Sequence, residues 1–164
     1  MARLVGYTLP DVLLALLDGG ELAGRAGKAI LIATTDVHGW PHPALLSYGE
    51  VVAVDRRRVR LAMYRESTTS GNLRRNGKLT LCLIEAGLAY YVKGEARTQQ
   101  DPMAGRAHLT RFEAVVRAVL EDQAREDLEP GAGVTGGITF RMGQPAADML
   151  RDWQAVVDGL RGEG

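Results

Sequence analysis

Five strand-like segments follow one another between residues 28 and 99, and this arrangement restricts the fold more than any other feature. They cover about residues 28–35, 42–54, 59–64, 78–85 and 88–99. The segments are rich in β-branched and apolar residues or alternate polar and apolar side chains, as strands do. Connections between the first three segments are too short for crossover helices, so we expect antiparallel pairing. Gly49 and Gly94 lie inside two of the segments and indicate bends of the kind that barrels need.

Three helices and a further strand are predicted around these segments. A proline and an aspartate after Thr8 are typical of a helix start and predict a helix over residues 9–18. Apolar residues recur every three or four positions over residues 103–126, which predicts a long helix. The same spacing predicts a C-terminal helix over about residues 145–160, and residues 137–142 are expected to form the last strand.

About six strands and three or four helices place the chain in the mainly β class with α additions (α+β). A consecutive antiparallel set with glycine bends favours a closed barrel with helices packed outside it. The 164 residues match the length of one ordinary domain, and no linker or repeat divides them. We therefore expect a single domain over residues 1–164, with the barrel at about residues 28–142.

Charge and hydropathy argue against two classes of partner. The chain has 20 basic and 20 acidic residues, whereas a general nucleic-acid binder needs a basic face. No apolar run approaches the roughly 20 residues that cross a bilayer, and the N-terminal segment is a poor signal peptide. We therefore expect a cytoplasmic protein with neither nucleic-acid nor membrane partners.

The sequence offers few ligands for a metal ion. Cys82 is the only cysteine, and its apolar strand predicts a buried residue that acts as a small apolar side chain. His38 and His42 flank a turn, but no third ligand is near them in the sequence, so no metal site is expected. His108 is expected on the surface of the long helix.

A hydroxyl-rich segment is the strongest candidate for a binding site. Its members are Ser67, Thr68, Thr69, Ser70, Gly71 and Asn72. The pattern predicts a loop that enters a short helix ending at Gly77. A helix N-terminus presents free N–H groups and the positive end of the dipole, which suits a phosphate, and Arg65, Arg74 and Arg75 would supply countercharge. The alternative is a simple capping cluster, because serine and threonine cap helices routinely.

The order of several motifs resembles the pyridoxamine 5′-phosphate oxidase-like family of flavin-binding split β-barrel proteins. The motifs are Ile32-Ala33-Thr34-Thr35, Gly39-Trp40-Pro41-His42-Pro43-Ala44-Leu45-Leu46-Ser47, Ser67-Thr68-Thr69 with Asn72-Leu73-Arg74, and Tyr91-Val92-Lys93-Gly94-Glu95-Ala96. The likeness covers about residues 28–98, less than half of the chain. It implies a six-stranded antiparallel split β-barrel with flanking helices, a homodimer, and flavin mononucleotide (FMN) bound at the dimer interface.

The resemblance also assigns residues to the cofactor. In this family the strand after Gly-x-Pro lies along the flavin ring, and here that strand supplies His42, Ala44, Leu45, Leu46 and Ser47. The loop before Asn-Leu-Arg holds the phosphate, and here that loop supplies Ser67, Thr68, Thr69, Ser70 and Asn72. Many relatives carry Arg and Lys in this loop, whereas this chain has neutral hydroxyls. The chain also ends without the Arg-Leu-x-Pro segment of the true oxidase, so pyridoxamine phosphate is not the expected substrate.

Three functions are compatible with these observations. The first is an FMN-dependent oxidoreductase acting on a small molecule, in which the cofactor supplies the redox chemistry and no catalytic acid or base stands out in the chain. The second is a non-catalytic protein of the same fold that binds flavin, a deazaflavin (F420) or haem, with His42 as the candidate axial ligand for haem. The third is a structural dimer with an empty groove.

Overall fold

The computed structural model describes residues 1–162, which form eight β-strands, three α-helices and one 3₁₀ helix. The strands are β1 (Ala2–Gly6), β2 (Ala29–Thr35), β3 (Pro41–Ser47), β4 (Val51–Ala53), β5 (Arg58–Tyr64), β6 (Lys78–Glu85), β7 (Leu88–Gln100) and β8 (Leu109–Asp122). The helices are α1 (Asp11–Leu16), α2 (Thr68–Asn76), α3 (Ala146–Arg161) and the 3₁₀ helix Leu22–Arg25. Glu163 and Gly164, the last two residues of the predicted domain, lie outside the described residues.

One antiparallel sheet contains all eight strands. Their order is β3-β2-β6-β7-β8-β5-β4, and β1 pairs in addition with β8. β3 and β4 lie at opposite ends of this order, although only residues 48–50 separate them in the chain. The sheet therefore curls until its ends approach each other, and residues 48–50 form the corner expected near Gly49. The predicted antiparallel split barrel with flanking helices is confirmed, with eight strands in residues 1–162 rather than six.

The core lies inside the curled sheet, where alternate side chains of each strand meet. On β2, Ile30 and Ile32 are fully buried, whereas Leu31 and Ala33 on the other face are only half-buried. Phe112 of β8 is the largest fully buried side chain. The helices add to this core: α1 and the residues around it contribute Leu9, Leu13 and Leu17, and α3 contributes Trp153, Val156, Val157 and Leu160.

The long helix predicted over residues 103–126 is wrong, because residues 109–122 form β8, the longest strand. Two features removed the alternation that marks a strand. Residues 109–114 are all buried, because Arg60, Gln99 and the C-terminal end of α3 contact the face that lies opposite the core. A β-bulge then shifts the register between β7 and β8, where Lys93 and Gly94 pair with Ala118 and Val116 and leave Arg117 as the extra residue.

The last strand predicted at residues 137–142 is also wrong. Within the described residues this segment makes only one isolated bridge, between Thr139 and Lys28. It lies beside the start of β2 and the β6–β7 turn, where Ala29 N–H donates to the Ile138 carbonyl and Gly87 N–H to the Val134 carbonyl. Gly137 allows this segment to approach β6 closely, since a Cβ there would lie 1.9 Å from the Ile84 carbonyl oxygen.

The remaining boundaries differ from the predictions by small amounts. β6 spans the predicted residues, and β7 ends one residue later than expected. A turn divides the predicted strand at 42–54 into β3 and β4, and the predicted helix at 9–18 is limited to α1. β1 was not predicted. No helix in residues 1–162 combines the length and the apolar character that a membrane span requires.

Candidate functional site

The hydroxyl-rich segment forms the N-terminus of α2, as predicted. Ser67 caps the helix, because its Oγ accepts a 3.1 Å hydrogen bond from the Ser70 backbone N–H. Gly77 ends the helix in the left-handed conformation, and its N–H donates to the Leu73 carbonyl. Both ends of this helix therefore follow from residues that the sequence itself identifies.

The predicted phosphate residues fall into an accessible and a buried group. Ser67 is half-buried and Thr68 is exposed. Thr69, Ser70 and Asn72 are 3%, 0% and 2% exposed. The backbone N–H groups of Thr68 and Thr69 have no acceptor within residues 1–162, as is usual at a helix N-terminus. An anion that approached this end of α2 would meet those two N–H groups and the Thr68 side chain.

Two of the three buried polar side chains of α2, those of Ser70 and Asn72, already have partners in the protein. Ser70 Oγ donates to the Tyr64 carbonyl across 2.7 Å. Asn72 Nδ2 donates to Thr34 Oγ1 across 2.9 Å, and Asn72 Oδ1 accepts from Arg75 at 3.2 Å. These bonds fix α2 against the barrel, so a structural role explains both Ser70 and Asn72.

Two of the arginines proposed as countercharge share one acidic partner. Arg65 Nε lies 2.5 Å from Asp101 Oδ1, and Arg74 lies 3.1 Å from Asp101 Oδ2. The hydrogen bond from Arg65 is the main reason that the pKa of Asp101 is lowered. Arg74 also donates to Thr110 Oγ1 across 2.8 Å. Asp101 and the neighbouring Glu66, which adds a second carboxylate near Arg65, together balance these two guanidinium groups close to the N-terminus of α2.

The predicted ring-contact residues lie on both faces of β3, since successive side chains of a strand alternate. His42 and Ala44 are half-buried and pair across from Thr34 and Ile32 of β2. Leu45 is 54% exposed on the opposite face. Leu46 and Ser47 are buried at the end of the strand.

A cavity of about 450 Å³ lies at the end of β3 and is called here the split cavity. Leu45, Leu46 and Ser47 form one wall, and the other walls come from Tyr64 at the end of β5, His108 in the turn before β8, and Trp153 of α3. Its volume is in the range of small-molecule sites. The other predicted cofactor residues, which are His42, Ala44, Ser67, Thr68, Thr69, Ser70 and Asn72, do not line it.

Tyr64 connects the split cavity to the N-terminus of α2. Its side chain lines the cavity, and its carbonyl accepts hydrogen bonds from the Ser67 and Ser70 hydroxyls across 2.9 and 2.7 Å. An elongated ligand would therefore contact both features if its aromatic end lay in the cavity and its anionic end lay at Ser67, three residues after Tyr64.

Glu50 is a cavity residue that sequence reasoning missed. One carboxylate oxygen, Oε2, accepts from the Ser47 N–H at 2.6 Å and from Ser47 Oγ at 2.9 Å. The other oxygen, Oε1, makes no hydrogen bond to residues 1–162. Every fully buried side-chain nitrogen or oxygen atom of these residues has a hydrogen-bond partner, so Oε1 is accessible from the cavity. Burial raises the pKa of Glu50, and the two Ser47 donors lower it only in part. Glu50 therefore presents a carboxyl oxygen to a ligand, with a proton affinity above that of an ordinary glutamate.

His108 and Arg106 are further cavity residues that the sequence placed wrongly. His108 is exposed, as expected, but it does not lie on a helix: both residues lie in the turn between β7 and β8 and line the split cavity. The His108 ring centroid lies 6.0 Å from that of Tyr64, and Arg106 faces Asp152 of α3 at 3.7 Å. If residues 109–122 had been predicted as a strand, this turn would have been predicted at the end of the barrel.

The outer face of the sheet carries an unbroken line of apolar and aromatic side chains. Direct cross-strand pairs connect Leu45 to Leu31, Leu31 to Cys82, Cys82 to Tyr91, Tyr91 to Leu120, and Leu120 to Leu4. We call these six residues the outer-face row. Leu45 and Leu4, its two ends, are 54% and 52% exposed, and the other four are half-buried. Contiguous exposed apolar surface of this kind typically marks an interaction face.

Comparison with known sequences identifies one informative relative. No family model matches the chain. The uncharacterized protein YclD of Bacillus subtilis (strain 168) is 31% identical over 153 residues, which cover 93% of this chain and 96% of YclD.

Solved structures with the same fold share little sequence with the chain. A "putative pyridoxamine 5′-phosphate oxidase" of Lactobacillus delbrueckii superposes with a TM-score of 0.58 at 16% identity, covering 73% of this chain and 98% of the other. HupZ of Group A Streptococcus gives 0.56 at 15% identity over 79% and 99% of the two chains. An FMN-binding protein of Syntrophomonas wolfei gives 0.52 at 12% identity over 70% and 90%.

These likenesses, together with the curled antiparallel sheet and its flanking helices, agree with the resemblance found in the sequence motifs. The chain has the fold of the pyridoxamine 5′-phosphate oxidase-like, FMN-binding split β-barrel proteins, and it belongs to the same family as YclD of Bacillus subtilis.

Proposed function

We propose that this protein is an FMN-dependent oxidoreductase that holds the flavin ring in the split cavity and the flavin phosphate at the N-terminus of α2. The observation that carries the proposal is the junction at Tyr64, which joins a 450 Å³ cavity to a helix end with unused N–H groups. The FMN-binding protein of Syntrophomonas wolfei, which shares the fold, supports the choice of cofactor.

The residues present suit each part of FMN. Leu45, Leu46 and Trp153 offer apolar surface to the ring. The Thr68 and Thr69 N–H groups and the Thr68 hydroxyl offer donors to the phosphate. Arg65 and Arg74 place two guanidinium groups close to this neutral loop.

Bound FMN would supply hydride or electron transfer, and the chain would position and shield it. Trp153 and the turn at His108 form one side of the cavity. The free Oε1 of Glu50 accepts or donates a hydrogen bond at the wall of the cavity, according to its protonation. Glu50 is therefore the group best placed to hold a proton beside a bound molecule.

We propose in addition that the protein is a homodimer joined through the outer-face row. Leu45 belongs both to this row and to the wall of the split cavity, so a second copy on the row would complete the cavity on its open side. A two-fold interface is the commonest way for a chain to cover such a face. The small-molecule substrate would enter beside His108 and Arg106.

The proposal is tested by titrating the purified protein with FMN and, separately, with riboflavin, and following flavin fluorescence. FMN is expected to bind more tightly than riboflavin, because only FMN carries the phosphate. The T68V variant should lose about 1 kcal/mol of FMN binding, the value of one hydrogen bond, with no change for riboflavin. Equal binding of both flavins would overturn the phosphate assignment.

A second variant tests the position of the ring. L45W fills the split cavity and should weaken the binding of both flavins by about tenfold or more. L4W is the matched control, because Leu4 is equally exposed at the other end of the same row. Loss of binding in L45W alone supports the ring in the cavity, and unchanged binding in L45W contradicts it.

Turnover separates an enzyme from a binding protein. The oxidoreductase proposal expects a nicotinamide cofactor to reduce the bound flavin faster than it reduces free flavin. Bound flavin that is reduced no faster than free flavin would favour the non-catalytic alternative. If the protein binds deazaflavin F420 or haem in place of FMN, the proposed site stands and the proposed cofactor is wrong.

A further inference from the structure

A second cavity, of about 380 Å³, opens on the outer face of the sheet near the β2–β3 hairpin. Its polar lining residues come from four strands: Thr34 and Thr35 of β2, Lys78 and Thr80 of β6, Lys93 and Glu95 of β7, and Arg117 of β8. We call it the lysine cleft. It lies away from the N-terminus of α2, because none of residues 67–72 lines it.

The lysines of the chain are concentrated at this cleft. The sequence contains only three lysines, Lys28, Lys78 and Lys93. Lys28 pairs with Glu85 across 3.1 Å. Lys78 and Lys93 are both exposed and form no ion pair with any residue from 1 to 162. Two ammonium groups without an ion-pair partner therefore share one concave surface in a chain whose net charge is zero.

The strand register places the two ammonium groups side by side. Lys78 pairs directly with Glu95, and Thr80 pairs directly with Lys93, so Lys78 and Lys93 are diagonal neighbours on one face of the sheet. Diagonal neighbours lie about 7–8 Å apart at the backbone, within reach of long side chains. Two flexible ammonium groups at this spacing can converge on one anion.

The β-bulge adds a guanidinium group to the same place. Arg117 is the extra residue opposite Lys93 and Gly94, and bulges commonly re-aim a side chain. Arg117 contacts Glu95 at 2.9 Å, and Glu95 is the only acidic residue that lines the cleft. Three cations and one carboxylate leave an excess of two positive charges, and the Thr35 and Thr80 hydroxyls add further donors.

We propose that the lysine cleft binds the phosphate or diphosphate group of a small molecule, with Lys78 and Lys93 as its main contacts. Compact ammonium groups suit phosphate oxygens as point charges. Thr80 lies between the two lysines in the register and donates its hydroxyl to the same anion. The site is separate from the flavin phosphate site, since the cleft adjoins the C-terminal end of α2, where Arg75 bonds the Thr35 carbonyl.

Calorimetric titration of the full-length protein with inorganic pyrophosphate at low ionic strength tests this proposal. The K78Q/K93Q variant should bind about tenfold more weakly or worse, since it loses two charge-assisted contacts. The R3Q/K28Q variant is the matched control, because it removes the same net charge from surfaces outside the cleft. Equal weakening of pyrophosphate binding in both variants would indicate non-specific charge attraction and overturn the proposed site.

Amine labelling of the wild-type protein gives an answer that no folding defect can obscure. Pyrophosphate should protect Lys78 and Lys93 from acetylation, measured by peptide mass spectrometry, and should leave the labelling of Lys28 unchanged. Absence of protection at pyrophosphate concentrations that give calorimetric heat would overturn the proposal. Flavin fluorescence is expected to stay unchanged on adding pyrophosphate to the FMN-loaded protein, so failure of this site and failure of the flavin site are distinguishable.

Discussion

Arg60 of β5 and Glu113 of β8 lie directly opposite each other and form an ion pair that is almost sealed from solvent. Arg60 Nε donates to Glu113 Oε2 across 3.0 Å, and the two side chains are 9% and 4% exposed. Burial alone would raise the pKa of Glu113, but the hydrogen bond and charge of Arg60 outweigh it, so the pKa of Glu113 is lowered.

The same arginine also holds the C-terminal end of α3. Arg60 Nη1 donates to the Leu160 and Gly162 carbonyls across 2.9 and 2.8 Å, and Arg111 Nη1 donates to the Gly159 carbonyl across 2.9 Å. These carbonyls are among those that a helix leaves unpaired at its C-terminus, and cations there complement the helix dipole. α3 is consequently attached to the barrel through two buried guanidinium groups, and it supplies the Trp153 wall of the split cavity.

Replacing Arg60 by alanine should strongly destabilise the protein. The R60A variant leaves Glu113 buried without its main partner, and such losses cost about 3–5 kcal/mol of unfolding free energy. Urea denaturation measures the change. The R3A control removes the exposed partner of Glu121 and should cost only about 0–1 kcal/mol. An R60A loss as small as that of R3A would show that the buried pair does not anchor α3.

The E50Q variant should change how stability depends on pH. Burial raises the pKa of Glu50 in the folded protein, so the protonated form is favoured by folding. The wild type should therefore lose unfolding free energy as pH rises from the ordinary glutamate pKa of about 4.3 through the higher folded value, and then level off. E50Q keeps the acceptor for Ser47 without the charge, so its advantage over the wild type should grow over that window.

Urea denaturation of both proteins between pH 4 and pH 8 measures this difference. The S47A variant serves as a companion, because it removes a donor that lowers the pKa of Glu50 and should enlarge the loss at high pH. Parallel pH profiles for the wild type and E50Q would mean that Glu50 has an unshifted pKa.

A charge in the outer-face row should dissociate the proposed homodimer. The L31E variant places a carboxylate at the centre of an apolar interface, where burying an unpaired charge is costly. Light scattering after size exclusion should give twice the chain mass of 17.7 kDa for the wild type and one chain mass for L31E. V12E, an exposed substitution on α1 outside the row, should remain dimeric. If the wild type is monomeric, the proposed homodimer is wrong.

Two glycines should respond to alanine in opposite directions. A Cβ on Gly49 would lie 2.2 Å from Trp153 Cγ, so G49A must displace α3 and should cost about 1–3 kcal/mol. Gly71 lies within α2 with open space around its Cβ position, so G71A should stabilise the protein by about 0.5–1 kcal/mol. Thermal unfolding of both variants checks the signs. A stable G49A would show that Trp153 packs less closely on the corner.

The sequence predicted elements well where the residues of a segment decide its conformation. Ser67 and Gly77 mark both ends of α2 by capping chemistry, and β6 follows from an apolar run between turn residues. The corner near Gly49 and the bend at Gly94 also follow from glycines inside strand patterns. The family resemblance extended these local signals to the split barrel, because the order of the motifs reflects the order of the strands.

β8 shows where local signals fail. Its residues 109–114 are buried on both faces, since the core takes Phe112 and Ala114, while Glu113 pairs with Arg60 and Arg111 bonds the C-terminal end of α3. The alternation of polar and apolar residues that identifies a strand therefore disappears, and the bulge at Arg117 removes it further along. What remains is an apolar spacing that also suits a helix.

By itself, the sequence determined the mainly β class, the antiparallel pairing, the short helix α2 and the candidate phosphate end at Ser67 and Thr68, because turns, caps and glycines act over a few residues. Only the tertiary structure decided the strand β8, the split cavity with Glu50 and His108, the lysine cleft and the outer-face row. These features assemble residues that are far apart in the chain, and burial and strand register, which bring them together, are properties of the whole fold.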